Sequence, residues 1–203
     1  MYVTAPKQSS FKPVPPGSHL ARCYRIIDFG TQKTEFAGQI KFLHKGMFQF
    51  EVYGEDEDGN PLVTEKGEPM SISKNYTMSL GEKTALTADL ESWRGKAFTG
   101  DERNRFNLKN VIGQWCLITV TKTEGRDGKE YSNIVSISPV PAAMKASKPE
   151  PKTEARIFDL SDPDMSLYET FSDRIKEKIQ LSPEWKALNG KKTEDFNDET
   201  IPF

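Results

Sequence analysis

The chain has 203 residues, 35 % hydrophobic and 29 % charged, with a formal net charge of −2. No apolar run approaches the ~20 residues of a helical membrane span, so no membrane association is expected. The polarity predicts a folded unit carrying exposed segments, not one core throughout.

The N-terminal stretch MYVTAPKQSSFKPVPPGSH has no apolar centre like that of a signal peptide, which predicts a cytoplasmic protein. Cys23 and Cys116 lie far apart in apolar stretches, a pattern that favours buried free thiols over a disulfide or metal pair. Charge is uneven. Residues 1–139 carry +1, but 55–68 alone hold six acids and one base, which leaves the rest of that part at +6. Residues 140–203 carry −3.

Residues 1–17 read as an extended polar arm ending in PVPPG. HLARCYRIIDF, 19–29, is rich in β-branched and aromatic residues and reads as strand one, closed by Gly30. Residues 40–54 read as strand two, with Phe48, Phe50 and Val52 on one face and Gly46 a candidate bulge. The acidic stretch 55–69 is a long connection. Residues 70–80 form strand three, with Met70, Ile72, Lys74, Tyr76 and Met78 sharing a face. Period then becomes helical over 79–95: Leu86, Leu90 and Trp93 align, and Gly95 is placed as a C-cap. A basic loop follows, then strand four at 114–123 with Cys116, Ile118 and Val120 on one face. A turn at 125–128 leads into strand five at 129–139, stopped by Pro139.

This β-β-β-α-β-β order predicts a mainly β fold. The expectation is a five-stranded OB-type barrel, the oligonucleotide/oligosaccharide-binding architecture, over 18–139, with its one helix between strands three and four. A small α+β sheet of another topology is the alternative. Residues 140–160 read as a Pro, Ala and Lys linker. Residues 161–188 form a short C-terminal helical segment, in which Leu167, Phe171, Ile175 and Ile179 recur on one stripe over 161–179 and Ser182–Trp185 starts a second turn. Residues 189–203 read as a disordered acidic tail.

Enzyme signatures are missing. His19 and His44 have no partner at metal-ligand spacing, there is neither a phosphate loop nor a nucleophile elbow, and residues 55–58 lack calcium-loop spacing. No catalytic residue, metal or cofactor is expected. Nucleic-acid binding has better support, because cations and aromatic residues interleave along the strands as a single-stranded strand requires. The candidate contacts are Arg22, Tyr24, Arg25, Lys41, Lys45, Tyr53, Lys74, Tyr76, Arg94, Lys96, Arg103, Arg105 and Lys122. Phe48, Phe50 and Trp93 read as core, and Tyr53 and Tyr76 are balanced between core and surface.

The last ten residues, EDFNDETIPF, hold four acids and no base. Asp195, Phe196, Asp198, Glu199, Ile201, Pro202 and Phe203 resemble the acidic tip of bacterial single-stranded DNA-binding proteins; the uncharged Asn197 and Thr200, and one extra residue between Phe196 and Ile201, depart from that pattern. PVPPGSHLARCYRIIDFGTQ, ISKNYTMSLGEKTALTADLESWRG and NVIGQWCLITV resemble phage-encoded single-stranded DNA-binding proteins. The resemblance implies coating of single-stranded DNA during replication and recombination in a bacterial host. It also implies docking of phage or host replication, recombination and repair proteins on the tip. There the Phe203 ring and α-carboxylate would fill a partner pocket with a basic rim. Strand annealing, and an adaptor that occupies host pockets without touching DNA, are the rival functions. Oligomeric state stays open, with a homo-oligomer among the arrangements allowed.

Overall fold

A computed structural model describes residues 12–125 and 128–195. Among these the fold is mainly β, with six strands and five α-helices. β1 (Gly17–Phe36), β2 (Gln39–Tyr53) and β3 (Met70–Thr77) form an antiparallel meander. α1 (Ala85–Arg94) and α2 (Gly100–Arg105) follow, then the hairpin β4 (Trp115–Glu124) and β5 (Glu130–Ser138). The ladder runs β3-β2-β1-β4-β5. Its end strands approach each other without hydrogen-bonded pairing, and α1 packs against both. The barrel expected from the sequence is therefore not closed.

Alternation, shifted in β1 by a bulge between Cys23 and Arg25, builds the main core. Ala21, Cys23, Ile26, Phe48, Phe50, Val52, Met70, Ile72, Tyr76, Cys116, Ile118 and Val120 all turn inward against Leu86, Leu90 and Trp93 of α1. The cysteines are free and buried, as expected. Thr84 caps α1 by accepting from the Thr87 N–H, so the helix starts later than its apolar period indicated. Gly95 ends it in the left-handed region (φ 70°), the C-cap read from the sequence.

β1 does not stop at Gly30. It continues to Phe36 and turns back through Ala37 and Gly38, whose φ angles of 50° and 75° suit a tight two-residue hairpin. Gly30 marks a bulge, with the register slipping between Asp28 and Gly30. Its φ is +65°, and a Cβ there would lie 2.7 Å from Glu184 Oε2 and from Leu160 Cδ1. Only glycine meets both demands.

The C-terminal portion departs furthest from expectation. The segment read as linker, 140–160, ends in β6 (Arg156–Phe158), which pairs in parallel with Arg25–Ile27 of β1. The single helix expected over 161–179 is two short ones, α3 (Met165–Glu169) and α4 (Asp173–Gln180), and α5 (Pro183–Asp195) follows. Their apolar stripe is as read: Leu167, Phe171 and Ile179 are buried, with Tyr168, Trp185 and Phe158. It closes a second core on Ile27, Phe29 and Met47, on the outer face of β1 and β2. Residues 189–195, read as tail, continue α5. No described helix is long and apolar enough to cross a membrane.

Candidate nucleic-acid interface

The β1–β2–β3 sheet has an outer face that starts with small polar residues. Ser71, Ser73, Asn75 and Thr77 alternate with the buried side chains of β3, so they line its outside. Across the ladder from them stand Glu51, Gln49, Met47 and Lys45 of β2. The C-terminal unit covers Ile27, Phe29 and Met47 but leaves the β3 side open. What remains is a groove of about 530 Å³, lined by Phe29, Gln32, Lys45, Asn75, Thr77 and Lys178 among others. No carboxylate lines it.

Two cations serve this groove from opposite sides. Lys45 Nζ donates to Thr77 Oγ1 at 2.7 Å and has no acidic partner among the described residues. Lys178, on α4, holds its Nζ 5.2 Å from the centre of the Phe29 ring. Burial and the nearby Arg174 charge both push the Lys178 pKa below its ordinary value. The Gln32 amide donates to the carbonyls of Phe29 (2.6 Å) and Lys178 (2.8 Å), which ties α4 to the bulge of β1. Elsewhere on β1, the Arg25 guanidinium lies 5.3 Å from the centre of the Tyr24 ring and 5.6 Å from that of the Phe171 ring.

Beyond it projects the β1–β2 hairpin. Phe42 is 68 % exposed and Ile40 53 %, with Lys41 exposed between them. Lys33 lies opposite Phe42 in the ladder. An aromatic ring left in water beside two cations is an unusual use of apolar surface, and it matches what a base and its phosphates require.

The thirteen candidate contacts divide by partner. Arg22 is buried, donating to Glu51 Oε1 at 2.9 Å, the Thr153 carbonyl at 2.8 Å and the Gly113 carbonyl at 3.2 Å. It clamps the segment before β6 onto the sheet and is closed to DNA. Tyr76 is also a correction: it is 3 % exposed, bonded to Asp89 at 2.7 Å and packed edge-on against Phe48. Burial and the Asp89 carboxylate push its pKa up. Lys74 pairs with Asp89 at 2.6 Å, on the same inner face.

Arg94 and Lys96 share Glu102, at 2.7 and 3.1 Å. Arg103 reaches Glu82 and Glu91, and Lys122 reaches Glu130. The capping box of Thr99 and Glu102 that starts α2 fixes the first of these clusters. The Thr99 N–H, Lys96 and Arg94 together hold the Glu102 carboxyl down at about 2. Arg105 lines a cavity of about 490 Å³ that also holds Asp101 and Glu102.

Tyr53 packs against Trp115 with ring centres 5.1 Å apart, and its hydroxyl accepts from the Lys152 N–H at 3.2 Å. Burial pushes its pKa up to about 12. Tyr24 is half-buried, its hydroxyl meeting the Ser71 side chain. A second cavity without a carboxylate, about 320 Å³, is lined by Trp115, Arg94, Lys145 and Lys148 among others.

Of the candidate cations, then, Arg25, Lys41, Lys45 and Arg105 hold no ion pair among the described residues; the first three lie on β1 and β2, and Lys45 lines the groove. Sequence reasoning missed Lys178, Gln32 and Asn75. The outward alternation of Ser71, Ser73 and Asn75 was the available signal for the floor. Of the tail contacts, Asp195 ends α5, and Phe196, Asp198, Glu199, Ile201, Pro202 and Phe203 lie outside the described residues. Among the described residues no cluster of His, Cys, Asp or Glu suits a metal ion. Comparison of the chain with protein-family models and with curated protein sequences returns no match.

Proposed function

We propose that this chain is a non-catalytic single-stranded DNA-binding protein, phage-encoded and active in the bacterial cytoplasm. Its sheet is read as an open OB-type barrel. The strand order β3-β2-β1-β4-β5 and the placement of α1 between the two end strands support that reading.

The observation that carries the function is the groove on the outer face of β2 and β3. It has cations, small polar groups and no carboxylate, and it leads to a hairpin bearing an exposed phenylalanine. In this reading Phe42 stacks on a base, while Lys41, Lys45 and Arg25 neutralise phosphates. Stacking does not discriminate among bases, so sequence preference is weak. Asn75, Ser73 and Gln32 offer hydrogen bonds to sugar and phosphate.

The acidic tip, residues 195–203, recruits replication, recombination and repair proteins. When unoccupied it visits the same cationic groove and competes with DNA. Removing 194–203 therefore tightens binding, most at low salt.

The test is fluorescence anisotropy of labelled oligo-dT with the whole chain and with Lys41→Gln/Lys45→Gln. Two lost phosphate contacts weaken single-strand binding roughly tenfold at 0.2 M salt. An unchanged affinity would place the strand elsewhere, and absence of binding by the unaltered chain would remove the function.

A further inference from the structure

We infer that the C-terminal unit is a wall of the strand-binding groove, with Lys178 and Arg174 of α4 contacting phosphates across from Lys45. This rests on the single-stranded DNA reading above. It assigns a DNA-binding role to a segment that sequence separates from the sheet by a linker.

Three independent features fix α4 at the groove. The second core buries Ile27, Phe29 and Met47 of the sheet against Phe158, Leu167, Phe171 and Ile179, so the unit is packed onto the strands. Gly30 leaves room for Leu160, Ser182 and Glu184 to approach the backbone of β1. Glu184 accepts from the Thr31 N–H at 3.0 Å and its hydroxyl at 2.6 Å, and Gln32 holds the Lys178 carbonyl. These contacts fix α4 and α5 on β1 beside the groove.

Polarity follows from the helix period. Ile175 and Ile179 face the second core. Arg174 and Lys178, four residues apart, occupy an adjacent stripe, and Lys178 lines the groove. Neither has an ion-pair partner among the described residues, although Lys176 on the same helix is paired with Glu169. Lys178 is held partly desolvated over Phe29 with another cation near it. Arg174 adds a second positive charge near Lys178, and the pair attracts a polyanion to the groove. Asn75 and Thr77 of β3 line the same groove as Lys178 and add small polar groups to it.

The competing site for the same ligand is the cavity beside Trp115, with Lys145 and Lys148. The two are separated by a pair of charge-matched variants in the full-length protein, Arg174→Gln/Lys178→Gln and Lys145→Gln/Lys148→Gln. Binding of labelled oligo-dT is measured from 0.05 to 0.2 M salt. Each single-strand phosphate contact contributes ~0.7 to the slope of log affinity against log salt. The α4 variant is expected to lose about 1.4 from that slope, which weakens binding roughly 60-fold at 0.05 M and about tenfold at 0.2 M. The Lys145/Lys148 variant keeps the unaltered slope. Arg174→Lys/Lys178→Arg, which retains both charges, restores the unaltered slope, and equal thermal midpoints show that all the variants are folded.

An unaltered slope in the α4 variant overturns the inference while leaving DNA binding in place. Loss confined to the Lys145/Lys148 variant moves the strand to the other cavity and likewise overturns it. If the unaltered chain binds no oligo-dT, the function itself fails.

Discussion

Replacing Arg22 by methionine distinguishes a structural cation from a DNA contact. Arg22 is 8 % exposed and Glu51 2 %, and the pair spans β1 and β2 at 2.9 Å. Glu51 Oε2 already lacks a hydrogen-bond partner among the described residues, so Arg22→Met leaves a buried carboxylate without its ion-pair partner. Breaking one side of such a pair costs about 3–5 kcal/mol. The carbonyls of Thr153 and Gly113 lose their donor at the same time. For a chain of this length the thermal midpoint falls by roughly 6–20 °C.

Removing both charges, as Arg22→Met/Glu51→Met, takes away the stranded carboxylate and recovers most of the loss. The assay is thermal unfolding of the four members of the cycle, with oligo-dT affinity measured on each folded protein. If Arg22→Met costs under about 1 kcal/mol, or the double variant is no more stable than the single, the ion pair does not hold the sheet as described. A stable double variant that has lost DNA binding would show that Arg22 touches DNA after all.

Phe42→Ala should weaken oligo-dT binding by about 1–3 kcal/mol, a factor of roughly 5 to 150, with an unchanged thermal midpoint because the ring is solvent-exposed. Phe158→Ala opens a cavity among Tyr168, Phe171 and Trp185, and should destabilise the C-terminal unit by about 3–5 kcal/mol, read as faster hydrogen exchange in α3 and α4. Glu102 has a carboxyl pKa depressed to about 2 from 4.5. Its contribution to stability is therefore present above pH 4.5 and lost as the pH falls through about 2. Glu102→Gln should be less stable than the unaltered chain at pH 6 and converge with it near pH 2, measured by urea unfolding across that range. An equal difference at both ends would contradict the sign.

Alternation was the most legible signal. Met70, Ile72 and Tyr76, and Cys116, Ile118 and Val120, face the core because a strand exposes every second side chain to one side. Leu86, Leu90 and Trp93 were equally readable from their helical spacing. Gly30 misled because glycine marks both a strand end and a bulge, and only the paired strand decides which. Leu167, Phe171 and Ile179 announced an apolar stripe, but period tells which face is buried and not what buries it. Ile27, Phe29 and Met47, its partners, looked like ordinary strand residues. Charge was the least legible. Arg94, Lys96, Arg103 and Lys122 have the composition of a DNA-binding surface, yet each meets a glutamate 6 to 12 residues away that the fold turns onto it. Lys45 and Lys178, far apart in sequence, meet only in the fold.

The most direct measurement is the affinity of the unaltered full-length chain for oligo-dT, and for a duplex of equal length, over a series of salt concentrations. Arg25, Lys41 and Lys45 predict tight binding of the single strand, weak binding of the duplex, and a slope of roughly −2 or steeper in log affinity against log salt. No binding, equal binding of single strand and duplex, or a flat salt dependence would contradict a single-stranded DNA-binding role.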